Sequence, residues 1–493
     1  MARIPKLTYD RGTLILHPPP RSKDWLDYAV WDDRIERFRI PAMHYRDVVL
    51  ALRAAGAELE DAAKAFHQLN LVPGLEMEPY AHQQEALTAW KQAGRKGVVV
   101  LPTAAGKTYL AQLAMQVTQR STLIMVPTLD LMHQWYAHLL AAFPDTEIGL
   151  LGGGSRDRSP ILVATYDSAA IHAETLGNQY ALLVFDECHH LPSDFHRVIA
   201  EYAIAPYRLG LTATPERADG KHADLNHLIG AEVYRRSAEE LAGQALAKHQ
   251  AVQIKVRLSL QEQRRYNELV QVRNQFLQES NIFLGSLEGW QRFVRASACS
   301  QAGRRAMLAH REARAIAFGT ESKLRVLADL LASHYPARTL IFTDDNATIY
   351  RISETFLIPA ITHQTGVKER HEVLQRFKQG DYRALAASRV LNEGVDVPDA
   401  SIAIVLSGTG STREYVQRLG RILRKGKDPE KRALLYEIIA EDTAEENVSR
   451  RRRGEEVKRR SPQRQLEIVP SLYNTPVAPA ARAAETPADW PSP

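Results

Sequence analysis

The sequence predicts an α/β protein: two parallel-sheet lobes, a small α+β domain ahead of them, and a helical insertion ahead of the second sheet. Three observations carry this. Two long stretches alternate short apolar runs with helical spacings, the pattern of a parallel sheet covered by helices on both faces. The apolar runs of the first stretch each end in a polar signature, and an arginine-rich helical region separates the two stretches.

Composition sets the bounds. A chain of 493 residues, 45% of them apolar, can build real cores in roughly two to four domains. The formal net charge is only +5, so basic residues matter by where they cluster. Cys188 and Cys299 are too few for a disulfide framework or a four-cysteine zinc site and suit a reducing compartment. No apolar run approaches the roughly 18 residues of a membrane span, and no charged-then-apolar leader opens the chain. The expectation is a cytoplasmic protein without membrane attachment or structural zinc.

Taken in order, residues 1–75 form the first domain. Thr13-Leu14-Ile15-Leu16 is a strand candidate, Pro18-Pro19-Pro20 interrupts, and Tyr45 to Ala55 has helical apolar spacing. A packing appendage would read the same way.

Residues 76–240 form the first lobe. Tyr80-Ala81-His82-Gln83-Gln84 opens an amphipathic helix, and the Gln83 amide, with a donor and an acceptor, could read the edge of adenine. Next comes Val98-Val99-Val100-Leu101-Pro102-Thr103-Ala104-Ala105-Gly106-Lys107-Thr108. A buried strand leading through a tight turn into Gly-Lys-Thr and a helix is a phosphate-binding loop. Backbone N–H groups from Thr103 to Thr108 and the helix N-terminus hold the anion, Lys107 reaches the outer phosphates, and the Thr108 hydroxyl ligates Mg²⁺. The full pattern wants glycine six positions before the lysine, where Leu101 stands, and glycine would ease the turn where Ala104 stands.

The following apolar runs, Thr122 to Val126, Ile161 to Ala164, Ala181 to Phe185 and Arg208 to Leu211, predict strands. They end in Pro127-Thr128, Thr165-Tyr166, Asp186-Glu187-Cys188-His189 and Thr212-Ala213-Thr214-Pro215, and ligands of parallel sheets gather at such strand ends. Asp186 is placed to hold Mg²⁺ and Glu187 to orient and deprotonate an attacking water. A helix N-cap with a solvated neighbour is the other source of such a pair. His189 and His190 lack the spacing and the third ligand of a metal site.

Residues 241–455 form the second lobe, with long arginine-rich helices over about 259–318. Aromatic residues Tyr266, Phe276, Phe283, Trp290 and Phe293 are interleaved there. Basic residues beside aromatics suit a surface that tracks a nucleic-acid backbone, and aromatics at helical spacing also suit a core. Strands are predicted at Thr339 to Phe342, Ala384 to Ala387, Ile402 to Leu406 and Ala433 to Ile439. Arg421 and Arg424 share a helix face, with Gln417 one turn earlier. On a domain without its own phosphate loop they fit cations that complete the other lobe's site, and a solvated basic face is the alternative. Residues 456–493 are a basic, then Ala/Pro-rich tail whose composition predicts disorder.

These signatures together resemble superfamily 2 helicases, and more narrowly the XPB family in its shorter archaeal and bacterial form. The likeness spans roughly Leu7 to Arg453. It is carried by Phe185-Asp186-Glu187-Cys188-His189-His190-Leu191-Pro192, Arg208-Leu209-Gly210-Leu211-Thr212-Ala213-Thr214-Pro215, Leu357-Ile358-Pro359-Ala360-Ile361-Thr362-His363, and Arg413-Glu414-Tyr415-Val416-Gln417-Arg418-Leu419-Gly420-Arg421-Ile422-Leu423-Arg424. The resemblance implies two RecA-like motor domains, ATP and Mg²⁺ as cofactors, and DNA as partner with 3′→5′ polarity in repair. It further implies a damage-recognition-like first domain, a thumb-like insertion, a nucleoid-associated location and a possible partner endonuclease. Carried over by motif, Gly394, Asp396 and Gln417 join the nucleotide site. By the same route His189, Thr212 and Thr214 couple it to DNA, and Pro127, Thr128, Thr165, Arg217, Asp219, Thr343 and Ser388 face DNA. Three departures stand out: Ala104 for the loop glycine, Asn392 for an aspartate, and Ala218 for the glutamate of an Arg-Glu-Asp triplet. The last favours a duplex translocase that does not separate strands. RNA as substrate and an ATP-gated clamp recruiting a nuclease are the remaining readings.

Overall fold

The apolar runs of the first lobe form strands buried on both faces: every residue of Thr122–Val126, Ile161–Thr165 and Leu182–Asp186 is buried. The computed structural model describes residues 4–74, 77–217, 219–284, 287–388, 400–408, 422 and 431–452. Among them the first sheet runs Glu232–Arg235, Lys96–Val100, Tyr207–Thr212, Leu182–Asp186, Thr122–Val126, Ile161–Thr165, Ile148–Gly152 and Ser155–Arg156. Pairing is parallel up to the final short hairpin. Register aligns the strand ends, with Asp186 opposite Leu211, Thr212 opposite Val100 and Thr165 opposite Val126. One end of the sheet therefore carries all the polar signatures.

Helices Ala81–Gln92, Lys107–Thr118 and Leu129–Ala142 cover one face and bury Trp90, Trp135 and Leu139 against it. Each fully buried large side chain of this kind contributes about 1.5–3 kcal/mol. Two strands lacked a signal in the apolar runs. Ile148–Gly152 ends in glycine, and Glu232–Arg235 is an edge strand whose terminal charges stay exposed.

In the second lobe the order is Lys248–Val256, Arg432–Ala440, Ile402–Val405, Thr339–Phe342, Ala384–Ala387 and Ala360–Ile361, all parallel. The four expected strands are present within a residue or so of their expected ends. The edge strand Lys248–Val256 was not expected, because only Val256 of it is buried. Phe342 pairs with Ala387, so Thr343 and Ser388 leave neighbouring strands side by side.

Three helices, Leu260–Glu279, Leu287–Cys299 and Gln301–Gly319, lie between the sheets in sequence. Ser259 and Glu262 form a capping box at the start of the first. Gly303 allows the last two helices to touch, since a Cβ there would lie 2.4 Å from the Ala296 carbonyl. The aromatics divide: Tyr266 and Phe293 are core, whereas Phe283 is 81% exposed.

The first domain is a sheet ordered Val30–Asp32, Arg37–Pro41, Thr13–His17, Lys6–Asp10, Glu60–Asp61, with helix Tyr45–Ala54 packed on it. It is anchored to the first lobe. Tyr9 donates its hydroxyl to the Tyr202 carbonyl at 3.0 Å, and Arg46 Nη1 donates to the carbonyls of Gly94 and Pro206 at 2.7 and 3.1 Å. Among the described residues no helix is long and apolar enough to cross a membrane.

Candidate functional site

At the polar end of the first sheet, the loop from Leu101 to Gly106 is built by backbone torsions that side chains resist. Gly106 has φ +77°, and a Cβ there would lie 2.2 Å from Gln83 Nε2. Ala104 has φ +71°, the left-handed region in which glycine is favoured. Lys107 opens its helix and donates from Nζ to the Leu101 carbonyl at 3.2 Å, so its ammonium lies inside the turn. Thr103 Oγ1 is buried in the same turn with no hydrogen-bond partner among the described residues. Buried donors with no protein acceptor are costly unless a ligand uses them. This donor set of ammonium, orphaned hydroxyl and helix N-terminus fits a phosphate chain.

Gln83 lies against this loop. Its Oε1 accepts from the Tyr80 N–H at 2.9 Å, and its Nε2 donates to the Gly106 carbonyl at 3.2 Å. The amide braces the loop, and a helix position three residues from its cap explains why. His82 Nε2 braces the same loop, 2.9 Å from the Ala105 carbonyl.

Two strands away, the chain turns sharply after Asp186. Glu187 has φ +48°, ψ +53°, a left-handed conformation that sends neighbouring carboxylates to different partners. Asp186 Oδ2 accepts from Trp135 Nε1 at 2.8 Å, while Glu187 Oε2 accepts from Thr212 Oγ1 at 3.4 Å. Burial first, then the Glu187 charge, push the Asp186 carboxyl up to about 6, with Lys107 and the Trp135 hydrogen bond acting against them. A buried carboxylate held beside a lysine, a second carboxylate and the loop hydroxyls fits a divalent cation shared with phosphate oxygens. Asp186 and Thr108 are the side chains that would hold it. Among the described residues no cluster of three or more His, Cys, Asp or Glu could by itself enclose a metal ion.

From Glu187 a polar chain leads away from the loop. His189 Nδ1 lies 3.1 Å from Thr212 Oγ1 and 3.4 Å from Glu187 Oε2, and Thr212 Oγ1 also accepts from the Thr214 N–H at 3.2 Å. Arg217 Nη1 donates to the His189 carbonyl at 2.6 Å, and its Nη2 is paired with Asp219 at 2.6 Å. The structure thus brings Glu187, His189, Thr212, Thr214, Arg217 and Asp219 into one connected set. Leu101 N–H donates to the Thr212 carbonyl at 3.0 Å, tying that set to the phosphate loop.

Thr128 and Thr165 sit at neighbouring strand ends and cap the following helices, accepting from Leu131 and Ser168 N–H groups. Pro127 precedes this cap. In the second lobe Thr343 is fully buried, its hydroxyl 2.7 Å from Ser407 Oγ, and Ser388 is 5% exposed. Arg421, Arg424, Gln417, Gly394, Asp396 and Ala218 lie outside the described residues.

Four contributors have no motif of their own. Trp135 and Tyr166 hold Asp186, the latter donating its hydroxyl to the Asp186 carbonyl at 2.9 Å. Arg370 on helix Val367–Gln379 of the second lobe reaches Asp130 of the first, Nη1 to Oδ2 at 3.4 Å. Apolar periodicity marks such residues as core or surface, and only the fold shows what they touch.

Three family models match the chain. Residues 7–63 match the Xeroderma pigmentosum group B helicase damage recognition domain, residues 76–217 the type III restriction enzyme res subunit, and residues 322–426 the helicase conserved C-terminal domain. A protein from Sulfurisphaera tokodaii named DNA 3′-5′ translocase XPB2 is 43% identical over 424 residues, covering 86% of this chain and 95% of the relative. The DNA 3′-5′ helicase XPB of Kineococcus radiotolerans is 30% identical over 399 residues, covering 78% of this chain and 64% of that one. The helicase domain of Hef from Pyrococcus furiosus shares the fold with TM-score 0.53 at 18% identity, covering 75% of this chain and 97% of that one. With identity at this level along almost the whole of a relative, and a family-specific domain at residues 7–63, the chain belongs to the XPB family of superfamily 2 helicases.

Proposed function

We propose that the chain is an ATP-dependent DNA helicase that couples Mg·ATP hydrolysis to 3′→5′ movement on DNA in repair. The observation that carries this reading is the connected set from Glu187 through Thr212 and His189 to Arg217, which links a hydrolytic carboxylate to the strand ends where a polymer would lie. Lys107 and the loop N–H groups would bind the phosphates, and Thr108 with Asp186 would hold the ion. When bound, Mg²⁺ neutralises charge on the outer phosphates. Glu187 orients and deprotonates the attacking water. Arg421 and Arg424 bring positive charge from the second lobe, with Gln417, Gly394 and Asp396 beside them. Closure of the lobes then moves hydroxyl-bearing strand ends, Thr128 and Thr165 in one lobe and Thr343 and Ser388 in the other, along a phosphate backbone. Cleavage of a DNA strand would fall to a partner nuclease.

The test is ATPase turnover without polymer and with single-stranded DNA, duplex DNA and RNA, for wild type and Glu187→Gln. DNA stimulation and a loss of roughly 10²-fold or more in the variant are expected. Turnover of Glu187→Gln equal to wild type would overturn the assignment.

A second reading is duplex translocation without strand separation. Ala218 in place of a carboxylate favours it, as does the translocase name of the 43%-identical relative. A forked-duplex unwinding assay beside triplex displacement separates the two: displacement without unwinding selects the translocase.

A further inference from the structure

After Leu191 the first lobe makes a tight turn in which the His196 N–H donates to Ser193 Oγ and the Arg197 N–H to the Ser193 carbonyl, both at 3.1 Å. Phe195 stands in this turn with 52% of its surface exposed. Ion pairs pin both of its neighbours. Asp194 Oδ1 accepts from Lys221 Nζ at 2.6 Å, and His196 Nε2 lies 2.8 Å from Asp167 Oδ1. Lys221 follows Asp219 by two residues and Asp167 follows Thr165 by two, so the ring sits between two groups that the DNA-motor reading turns toward the polymer. From it a series of rings runs inward: Phe195 to His196 at 5.6 Å between centroids, His196 to Tyr166 at 5.4 Å, Tyr166 to His190 at 5.9 Å and His190 to His189 at 4.4 Å. The series ends at His189 Nδ1, 3.4 Å from Glu187 Oε2.

We propose that Phe195 is a stacking residue for an unpaired base, so that the first lobe holds single-stranded DNA by a base face as well as by phosphates. The proposal rests on the DNA-motor reading above. A phenyl ring has no hydrogen bond to offer, and the face of a nucleobase is the part of DNA that it fits. In a duplex those faces are covered by the neighbouring base pairs. Phosphate is disfavoured at this point, because the exposed carboxylates of Asp167 and Asp194 stand on either side. A protein partner is disfavoured too: such interfaces need an apolar centre spread over many residues, and Phe195 is the exposed large apolar residue of this turn. The pinned neighbours hold the turn in shape before any base arrives, which lowers the ordering cost of binding. Through the ring series the contact bears on Glu187 by a side-chain route beside the Arg217 bond to the His189 carbonyl.

The test measures binding of oligo(dT) and of a blunt duplex to the full chain over a salt series, for wild type, Phe195→Ala and Phe195→Trp, with ATPase followed against oligo(dT). Loss of one stacked base predicts about ten-fold weaker oligo(dT) binding by Phe195→Ala. The slope of log affinity against log salt stays the same, because a neutral ring releases no counterions. Duplex binding is unaffected, the oligo(dT) concentration for half-maximal ATPase rises by the same factor, and Phe195→Trp binds as wild type does. Unchanged oligo(dT) affinity of Phe195→Ala overturns the proposal. So does an equal loss on the duplex, which needs no unpaired base, or a Phe195→Trp as weak as the alanine variant, which rules out stacking. Those outcomes leave the DNA-motor reading standing, whereas wild type that binds neither polymer at any salt brings down both. Thermal unfolding of the two variants serves as control for folding.

Discussion

Trp135 Nε1 donates to Asp186 Oδ2 at 2.8 Å, with both side chains almost fully buried. The indole fixes one carboxylate oxygen, and the Glu187 N–H donates to the other at 3.1 Å. Replacing Trp135 by Phe keeps the packing and removes the donor. A hydrogen bond to a charged group contributes about 1.5–3 kcal/mol, so the Mg²⁺ concentration for half-maximal ATPase should rise roughly ten-fold. Titration of turnover with Mg²⁺ checks this, and an unchanged midpoint would show that the bond does not orient Asp186.

His189 lies between the Glu187 carboxylate and Arg217. Truncating it to alanine removes the imidazole contacts to Glu187 and Thr212 and leaves both the phosphate loop and the Arg217 bond to the residue-189 carbonyl in place. The expected result is an ATPase that keeps its polymer-free rate and its KM for ATP but loses most of its DNA stimulation. Loss of the polymer-free rate instead would place His189 in the chemistry.

Ala104 holds φ +71°, a conformation that costs an L-residue about 1–2 kcal/mol. Glycine removes that cost while adding roughly 0.4–1 kcal/mol of unfolded-state freedom. Ala104→Gly should therefore be neutral to about 1 kcal/mol more stable, and Ala104→Val clearly less stable. Denaturant midpoints of the three proteins order them; a destabilised glycine variant would sink the argument.

Those three sites differ in how far the sequence disclosed them. The loop was legible because its chemistry is local: a strand, a turn and Gly106-Lys107-Thr108 lie within a dozen residues, and even the awkward alanine announced itself by its position. The pair Asp186-Glu187 was equally local, yet its divergence comes from the torsion of Glu187, which no residue pattern encodes. Trp135 was illegible, since an apolar helix position looks alike whether its indole fills space or binds a carboxylate 51 residues away. The charged edge strand Glu232–Arg235 and the largely polar Lys248–Val256 escaped because burial, which writes the apolar pattern, is slight at a sheet edge.

Lys323 was equally hidden, and it carries the largest stability effect. Its side chain is 0% exposed, and Nζ donates to Glu445 at 2.6 and 2.8 Å and to the Leu406 carbonyl at 2.5 Å. The pair joins helix Glu321–Ser333 to helix Glu445–Arg452 at the ends of two strands of the second sheet. Glu445 also accepts from the Ala440 N–H, at the end of the last strand. Removing one partner strands a charge in the interior, which costs about 3–5 kcal/mol. Glu445→Ala should therefore destabilise the second lobe by that order, and Lys323→Met likewise through the unpaired carboxylate. The double variant Lys323→Met/Glu445→Leu should recover most of the loss, because apolar groups of similar size need no partner. Denaturant unfolding of the four proteins measures the coupling, and additive losses in the double variant would mean that the two charges act independently.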